Sequence, residues 1–261
     1  MKISIITVAF NEINGVENTI KSVLGQTYSD IEYIVIDGGS TDGTAEVIAK
    51  YADKLSYWVS ERDGGIYFGM NKGLGKCSGD YVMFCNAGDE LAANDVVEKL
   101  VQAVHASSSP DLVFGDCIDI LDGEHYVRKA HGPHFIPYGM PASHEALLYR
   151  LALVRELGLC FDTSYRIAAD YKFTYRFVNA ARRFQRIDVP IVIFAEGGVS
   201  TANKWRGLSE SCRVRKEVSG LRLLRRFFIW LVQVAILMVA QYAAPLYRTL
   251  RLTKNRGRSS K

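Results

Sequence analysis

Apolar runs and stretches of helical periodicity alternate through the first part of the chain. Four runs have the length of buried strands, and small polar residues follow three of them: Ile3–Ala9, Ile31–Ile36, Tyr57–Ser60 and Tyr81–Cys85. Between the strands, apolar side chains recur three or four residues apart, as at Val16, Ile20, Val23 and Leu24. This alternation predicts an α/β fold with a mainly parallel central sheet, which is the architecture of a nucleotide-binding half.

The pattern changes after residue 105. Leu112–Leu121 and His125–Val127 flank an Asp122-Gly123 pair, which predicts a β-hairpin, and Val189–Ala195 has the composition of a further strand. We therefore predict one domain over residues 1–212, followed by a C-terminal segment. The domain divides into a nucleotide-binding half at 1–105 and an acceptor half at 106–212, and the segment covers 213–261.

The C-terminal segment contains an uncharged apolar run of 21 residues, Phe227–Tyr247. As a helix it would be about 31 Å long, close to the ~30 Å hydrocarbon core of a bilayer. A membrane span and a re-entrant helix pair broken near Pro245 are equally compatible with this run. A third interpretation is a helix buried against the domain or in a dimer interface.

Charge is distributed unevenly along the chain. Residues 213–261 contain twelve Lys or Arg and only Glu217 as an acid, so this segment carries +11 and residues 1–212 carry −7 within the overall +4. A basic end on an acidic domain suits an anionic membrane surface and does not suit nucleic acid, which calls for a basic patch on the folded domain. We expect the cytoplasmic face of the inner membrane as the location.

Cysteine spacing and phosphate motifs exclude several classes of protein. The five cysteines include no Cys-x-x-Cys pair, which argues against a disulfide framework or a structural zinc site and favours a reducing cytosol. The turn Gly38–Gly43 lacks the Gly-x-Gly-x-x-Gly spacing, and the chain has no Gly-x-x-x-x-Gly-Lys-Ser/Thr motif. The missing motifs therefore argue against a hydride-transferring dehydrogenase and a P-loop NTPase.

Candidate chemistry lies where the predicted strands end. Asp37, Asp63 and Asp89 follow or lie just beyond the second, third and fourth strands. In an open α/β sheet, ligands bind outside the carboxyl ends of the strands, where a carboxylate can accept hydrogen bonds from a ribose or base, or hold a cation. The simpler interpretation of Asp89 is a cap for the next helix.

Two further residues admit a functional and a structural interpretation. Asp170, in the first turn of a helix that opens near Ala168, is either an acid favoured by the helix dipole or a general base. His144 is either a site contact or a packed loop residue. The turn Glu196–Thr201 has the glycine content of a loop that closes over a substrate.

Seven stretches, taken together, resemble family-2 glycosyltransferases of the GT-A fold over about residues 1–205. They are Ser4–Asn11, Val35–Thr44, Ser60–Tyr67 with Met70–Gly73, Asn86–Asp89, Pro141–His144, Ala169–Tyr171 and Gly197–Ser200. The second half is similar to colanic-acid-type and other polysaccharide-assembly transferases, which add one sugar to a lipid-linked oligosaccharide.

The resemblance implies an inverting, metal-dependent glycosyltransferase with a nucleotide-sugar donor. Asp89 would bind Mg²⁺ or Mn²⁺ on the diphosphate, and Asp170 would deprotonate the acceptor hydroxyl. The residues that contact the donor would be Ala9, Asn11, Asp37, Asp63, Asn71 and Lys72. Possible contacts to the acceptor or the diphosphate are His144, Glu145, Lys204 and Arg206.

The chain departs from the family pattern at two places. Asn86 and Gly88 leave Asp89 as the single acid of the metal motif, so His144 or another group would complete the site. Phe68-Gly69 stands where relatives often have Asp-Ala. Two rival functions are a nucleotidyltransferase and a non-catalytic sugar-nucleotide-binding subunit. The released product distinguishes the three: a glycosyltransferase releases nucleoside diphosphate, a nucleotidyltransferase releases pyrophosphate, and a binding subunit releases neither.

Overall fold

The computed structural model describes residues 1–194, 203–242 and 253–254. The described strands form one sheet: β1 Ile3–Ala9, β2 Ile31–Asp37, β3 Tyr57–Ser60, β4 Tyr81–Phe84, β5 Glu90–Leu91, β6 Leu112–Leu121, β7 Glu124–Arg128, β8 Leu147–Arg150, β9 Phe184–Phe194 and β10 Thr253–Lys254. The α-helices are α1 Val16–Leu24, α2 Thr44–Ala49, α3 Ile66–Lys76, α4 Val96–Ala106, α5 Leu151–Glu156, α6 Ala169–Ala180, α7 Lys204–Val218 and α8 Leu223–Tyr242. Short 3₁₀ turns occupy Ala52–Lys54, Pro133–Phe135 and His144–Ala146.

The first half of the chain forms the parallel part of the sheet, in the order β3-β2-β1-β4. β1 lies in its centre, and every one of its residues is buried, which explains why its sequence is almost continuously apolar. The strands end at the same edge, with Ala9 paired to Asp37 and Asp37 to Ser60. The predicted order of strands and helices in this half is confirmed.

Helix α3 approaches β1 closely through two glycines on one face. A Cβ atom on Gly69 would lie 2.7 Å from Cγ1 of Val8, and one on Gly73 would lie 2.6 Å from Cγ2 of Ile6. Both contacts are far inside van der Waals distance, so only glycine permits this packing. The close approach fixes the helix that carries Tyr67 against the central strand.

The expectation of a mainly parallel sheet is wrong, because the second half adds antiparallel strands. β8 runs antiparallel between β4 and β6, and β7 pairs antiparallel with β6 through a hairpin. Asp122 and Gly123 both have positive φ, 53° and 74°, as the predicted two-residue turn requires. β9 is parallel to β6 and antiparallel to β5, so the sheet is mixed.

Two helices follow at the C-terminal end. α7 runs without a break through the predicted boundary at 212/213, and α8 begins at Leu223 instead of Phe227 and therefore includes Arg225 and Arg226. Residues 243–247 of the predicted apolar run, like the turn Glu196–Thr201, lie outside the described residues. Within the described part of the chain, no helix combines the length and the apolar character needed to cross a bilayer.

Candidate active site

The carboxylate of Asp37 organises the turn after β2. It is fully buried, and its Oδ2 accepts hydrogen bonds from the backbone N–H groups of Gly39 and Ser40 at 3.2 and 3.0 Å and from the Ser60 hydroxyl at 2.5 Å. The Ser40 hydroxyl also donates to its Oδ1. Most of the hydrogen-bonding capacity of Asp37 is therefore used within the protein. Asp37 fixes the shape of the turn after β2, and little of its carboxylate is left to contact a ligand.

Asn11 joins the loop after β1 to the loop after β2. Its backbone has φ +51°, its N–H donates to the Ser40 hydroxyl at 2.8 Å, and its Oδ1 accepts from Thr41 N–H at 2.9 Å. The carbonyl of Ala9 accepts from the Gly38 N–H at 2.9 Å. Three of the predicted donor residues, Ala9, Asn11 and Asp37, are thus brought together at one edge of the sheet.

Asp63 joins this group and has an unused acceptor. Its Oδ1 accepts from Gly65 N–H at 2.8 Å, whereas its buried Oδ2 has no hydrogen-bond partner among the described residues. A Cβ on Gly38 would lie 3.2 Å from the Asp63 carboxylate and 3.4 Å from the ring of Phe10, which is 65% exposed. A ligand that donates an N–H group to Asp63 and packs its ring against the exposed ring of Phe10 would fit this arrangement. The sequence analysis did not single out Phe10.

Asn71 and Lys72 have partners within the protein. The Asn71 amide pairs with the backbone of Phe161 in both directions, at 2.8 Å to the carbonyl and 2.7 Å from the N–H. Lys72 forms a salt bridge of 2.8 Å with Glu61. Asn71 therefore links α3 to the acceptor half of the domain, and this link uses the amide groups that a donor contact would need.

Asp89 lies beside a second carboxylate, Glu145. The Asn86 amide donates to Oε1 of Glu145, while Asn86 Oδ1 and Glu145 Oε2 are buried without a hydrogen-bond partner in the described chain. Glu145 is 3% exposed, and burial together with the neighbouring Asp89 carboxylate raises its pKa well above the usual range. Two acids and one amide oxygen thus converge where β4 ends.

His144 packs into an aromatic cluster. Its ring centroid lies 4.8 Å from that of Phe84 and 5.6 Å from that of Phe161, and the residue is 8% exposed. Burial lowers the pKa of His144 to about 3, so the imidazole is neutral. Of the groups considered for completing the acidic motif, the structure places Glu145 and not the ring of His144 against Asp89.

Asp170 lies in the first turn of α6 in an environment that suits a general base. Its Oδ1 accepts from Tyr171 N–H at 2.8 Å and lies 3.3 Å from the hydroxyl of Tyr67, which also donates to the Ile167 carbonyl at 2.5 Å. Burial raises the pKa of Asp170 to about 6, and the hydrogen bonds oppose this rise only partly. A carboxylate with this pKa is ionised at neutral pH yet basic enough to accept a proton.

Glu210 on α7 holds the start of α6. Its Oε2 accepts from the backbone N–H groups of Ile167 and Ala168 at 2.8 and 3.0 Å, and from that of Arg166 at 3.1 Å. Arg206 donates to Oε1 of Glu210 at 3.0 Å, so this predicted contact residue is engaged in an ion pair, and Lys204 is exposed at the start of α7. Glu210 has no sequence signal because it lies about forty residues after the start of the helix that it caps.

The family model for glycosyl transferase family 2 matches residues 4–159, more than half of the chain. The chain belongs to glycosyltransferase family 2. It is 36% identical over 183 residues to the glycosyltransferase Rv1514c of Mycobacterium tuberculosis, a match that covers 67% of this chain and 68% of that protein. It is 28% identical over 186 residues to a PGL/p-HBAD biosynthesis glycosyltransferase of Mycobacterium bovis, covering 69% and 72% of the two chains.

Solved structures of other glycosyltransferases share the fold. Residues 1–349 of S. aureus TarS in complex with UDP-GlcNAc superimpose with a TM-score of 0.70 at 18% identity, covering 95% of this chain and 74% of that chain. The mannosyltransferase PcManGT from Pyrobaculum calidifontis, in complex with GDP-Man and Mn²⁺, gives a TM-score of 0.66 at 18% identity and covers 95% and 79%. These similarities establish a GT-A-like α/β fold with a mixed sheet.

The acidic group of this family-2 glycosyltransferase fits a hard divalent cation. Mg²⁺ and Mn²⁺ prefer carboxylate and carbonyl oxygens, and Asp89, Glu145 and Asn86 supply these donor types. The described residues contain no group of three or more His, Cys, Asp or Glu that could hold a metal. Two carboxylates would therefore need oxygens from the amide, from water or from a substrate.

Proposed function

We propose that this family-2 glycosyltransferase moves a sugar from a nucleoside-diphosphate sugar to a hydroxyl group of a glycan acceptor, with inversion at the anomeric carbon. The observation that carries the proposal is Asp170, a carboxylate in the first turn of α6 whose pKa is raised to about 6 by burial. A nucleotidyltransferase or a binding subunit would have no use for a base at this position.

The reaction is a single displacement. The acceptor oxygen forms a bond to the anomeric carbon, the bond from that carbon to the diphosphate oxygen breaks, and Asp170 takes the hydroxyl proton. Tyr67 orients the Asp170 carboxylate, and Glu210 fixes the helix turn that presents it. A divalent cation bound by Asp89 would neutralise negative charge on the departing nucleoside diphosphate.

The donor class is supported by the neighbours and by the edge of the sheet. TarS was crystallised with UDP-GlcNAc and the Pyrobaculum mannosyltransferase with GDP-Man, both nucleotide sugars. In this chain the buried Oδ2 of Asp63 is available to an N–H group of a base. We assign the nucleotide to the group formed by Ala9, Asn11, Asp37 and Asp63.

We further propose a lipid-linked oligosaccharide acceptor of cell-surface polysaccharide assembly, of the kind used by colanic-acid-type transferases, and attachment to the cytoplasmic face of the inner membrane. One relative is named a PGL/p-HBAD biosynthesis glycosyltransferase, and this name supports a lipid-linked product. α8 supports attachment, since it exposes Leu224 and Phe228 at 82% and 68% beside Arg222 and Arg225.

The test is a donor panel with product analysis. The protein is incubated with UDP-, GDP- and dTDP-sugars and a polyprenyl-diphosphate-linked acceptor, and in parallel with nucleoside triphosphates and a sugar 1-phosphate, and the released nucleotide or pyrophosphate is measured. Nucleoside diphosphate supports transfer, pyrophosphate released from a nucleoside triphosphate would indicate a nucleotidyltransferase, and binding without release would indicate a non-catalytic subunit.

Asp170→Asn provides the matched variant. We expect turnover to fall by roughly 10²–10⁴-fold with donor affinity unchanged, because general-base work occurs on the acceptor side. Asp188→Asn, which alters a carboxylate that is 90% exposed, is the control and should retain full activity. An active Asp170→Asn enzyme would show that another group is the base.

A further inference from the structure

We infer that the groove between α7 and α8 binds one anionic phospholipid molecule, with the phosphate against Lys216 and Arg226 and an acyl chain along the apolar walls. This inference rests on the membrane attachment proposed above and deepens it, because it names a lipid and a site for that lipid. The groove is separate from the exposed Leu224 and Phe228, which do not line it.

The groove is a cavity of about 570 Å³, within the range of ~300–1,000 Å³ that is usual for ligand pockets. The two helices that enclose it are joined by residues 219–222. Its apolar walls are formed by Trp205 and Leu208 on α7 and by Leu223, Phe227 and Trp230 on α8. Leu208 is buried and the other four side chains are exposed. Apolar side chains that remain exposed around one cavity mark a surface that binds a partner.

Two cations line the same cavity close to the connection between the helices. Lys216 lies near the end of α7 and Arg226 in the first turn of α8, where the helix dipole adds positive potential. Within the described part of the chain, Glu217 is the acid nearest to Lys216 in sequence, and it is engaged by Lys172 and Arg213. The Nε atom of Arg226 is buried without a hydrogen-bond partner among the described residues. An anionic group therefore fits this end of the groove.

The combination of apolar walls and cations selects an anionic amphiphile. A free phosphate would engage the cations and leave the apolar walls uncovered, whereas a neutral acyl chain would leave the cations without a partner. A second copy of the chain would bring the same positive charges to the groove, which disfavours self-association there. An anionic phospholipid supplies both groups, and tryptophans such as Trp205 and Trp230 are the side chains that favour a lipid–water boundary.

The test uses a monomeric single-chain lipid, so that binding does not require a bilayer. Lysophosphatidylglycerol with a brominated acyl chain is titrated into the full-length protein below its critical micelle concentration. Bromine quenches tryptophan fluorescence on close contact, so we expect the emission of Trp205 and Trp230 to fall and to saturate at one lipid per protein. The third tryptophan, Trp58, lies on β3 at the edge of the sheet, and Trp58→Phe should leave the quenching in place.

A pair of double variants tests the phosphate end of the site. Lys216→Gln with Arg226→Gln should weaken lipid binding at least about tenfold, since each cation beside an anionic lipid contributes roughly fivefold in affinity. Arg222→Gln with Arg225→Gln is the matched control, because it removes the same charge from side chains that do not line the groove. The control should change binding by no more than about twofold at ~0.15 M salt, where charges outside the site are screened. Equal losses in the two double variants would overturn the site.

A substitution that fills the groove tests the acyl chain without a change of charge. Ser209 is exposed and lines the cavity, so Ser209→Phe should block the chain and reduce quenching severalfold, whereas Ser209→Ala should not. Full quenching in a folded Ser209→Phe protein would overturn the inference. Glycerol 3-phosphate has the anionic group without the chain and should not displace the lipid. Displacement by it would mean that the ligand is a free phosphate.

Vesicle flotation separates this inference from the proposed membrane attachment. Protein that floats with phosphatidylglycerol vesicles but binds no monomeric lipid would refute the groove and leave attachment standing. Saturable binding of the monomeric lipid by a protein that does not float would support the groove and refute attachment alone. A protein that sediments as a dimer and fails to bind the lipid would assign the groove to a second copy and overturn the inference.

Discussion

Asp170 sets the expected pH dependence of the enzyme. Its pKa is raised to about 6 by burial, and a base works only in its ionised form, so kcat/KM for the acceptor should rise through about pH 6 and then level off. Tyr67→Phe removes a hydrogen bond that favours the carboxylate and should move this limb to higher pH. The pH profiles of the two proteins check this, and coincident profiles would exclude the contact.

The same raised pKa predicts a cost in stability. A carboxyl group whose folded pKa lies above its unfolded value binds protons more tightly in the folded state, so its contribution to stability declines as the pH rises from about 4 to about 6. Asp170→Asn should therefore melt at a higher temperature than the wild type at pH 7 and gain less at pH 4. Thermal unfolding at both pH values tests the sign, and a lower melting temperature at pH 7 would contradict it.

Asp89 is expected to act on the donor and not on the fold. Asp89→Ala should abolish transfer and remove the metal dependence of donor binding, because Asp89 lies beyond the end of β4 and outside the apolar core. Donor affinity is measured with and without Mg²⁺ in wild type and variant, alongside thermal unfolding. Equal metal dependence in the two proteins would remove Asp89 from the cation site.

At the residue level, the sequence predicted which residues lie at the edge of the sheet better than it predicted their hydrogen-bond and ion-pair partners. Asp37, Asp63 and Asp89 could be placed at one edge because polar residues after buried strands meet there. The pairing of Asn71 with Phe161 and of Arg206 with Glu210 could not be predicted, because both depend on segments that only tertiary packing brings together. Glu145 was among the candidates, but its position against Asp89 follows from the antiparallel register of β8.

At the level of the element, the start of α6 depends on a side chain from α7. Glu210 accepts three backbone N–H groups there, and its carboxylate lies at the positive end of the helix dipole. Glu210→Ala should lower the free energy of unfolding by about 0.5–2 kcal/mol, the range measured for lost helix caps. Urea denaturation measures this loss.

The Arg206–Glu210 ion pair provides the control for this cap. Arg206 is 56% exposed, so Arg206→Gln should change stability by no more than about 0.5 kcal/mol. Glu210→Gln, which keeps an acceptor oxygen and loses the charge, should fall between the two. Wild-type stability in Glu210→Ala would mean that water replaces the cap without loss.

The positions of the strands along the chain follow from the hydrophobic pattern, but whether neighbouring strands run parallel or antiparallel does not. Every strand of the parallel half appears within a residue or two of its predicted bounds, since runs such as Ile3–Ala9 are buried on both faces. β8 escaped prediction because Leu147–Arg150 is only four residues long and continues directly into α5. A short strand carries no mark of direction, and this one runs antiparallel to both of its neighbours, β4 and β6.

At the level of the whole molecule, exposed apolar surface is concentrated at the C-terminal end. Ten of the seventeen exposed large hydrophobic side chains in the described chain lie on α8, among them Leu224 and Phe228. Apolar side chains beside Arg222 and Arg225 fit the surface of an anionic bilayer. We expect the protein to float with vesicles that contain anionic phospholipid and to bind zwitterionic vesicles less.

A double substitution tests this surface in the full chain. Leu224→Ser with Phe228→Ser should reduce vesicle binding severalfold without lowering the melting temperature, because both side chains are already exposed. Phe184→Ser, at a side chain that is 36% exposed on β9, serves as the control. Unchanged flotation of the double variant would assign α8 to some other contact.

The C-terminal end is also where the sequence predicted least well. Composition identified the basic, apolar segment. It did not predict that α7 is continuous across residue 212, or that the Gln233 side chain donates a hydrogen bond to the Tyr138 carbonyl at 2.7 Å. The buried guanidinium of Arg215 donates to the same Gln233 at 2.6 Å. These polar contacts fix α8 to the domain, and they could not be predicted from the hydropathy of the sequence.

The place of β8 in the sheet has a consequence for how the chain is made. β4 is complete at Phe84, yet its outer edge is covered only by β8, which ends at Arg150. A ribosome adds about 5–20 residues per second, so the nascent chain carries an uncovered strand edge for roughly 3–13 seconds. Such an edge can pair with another nascent chain. Slower translation of residues 85–150 would therefore leave that edge open to such pairing for longer.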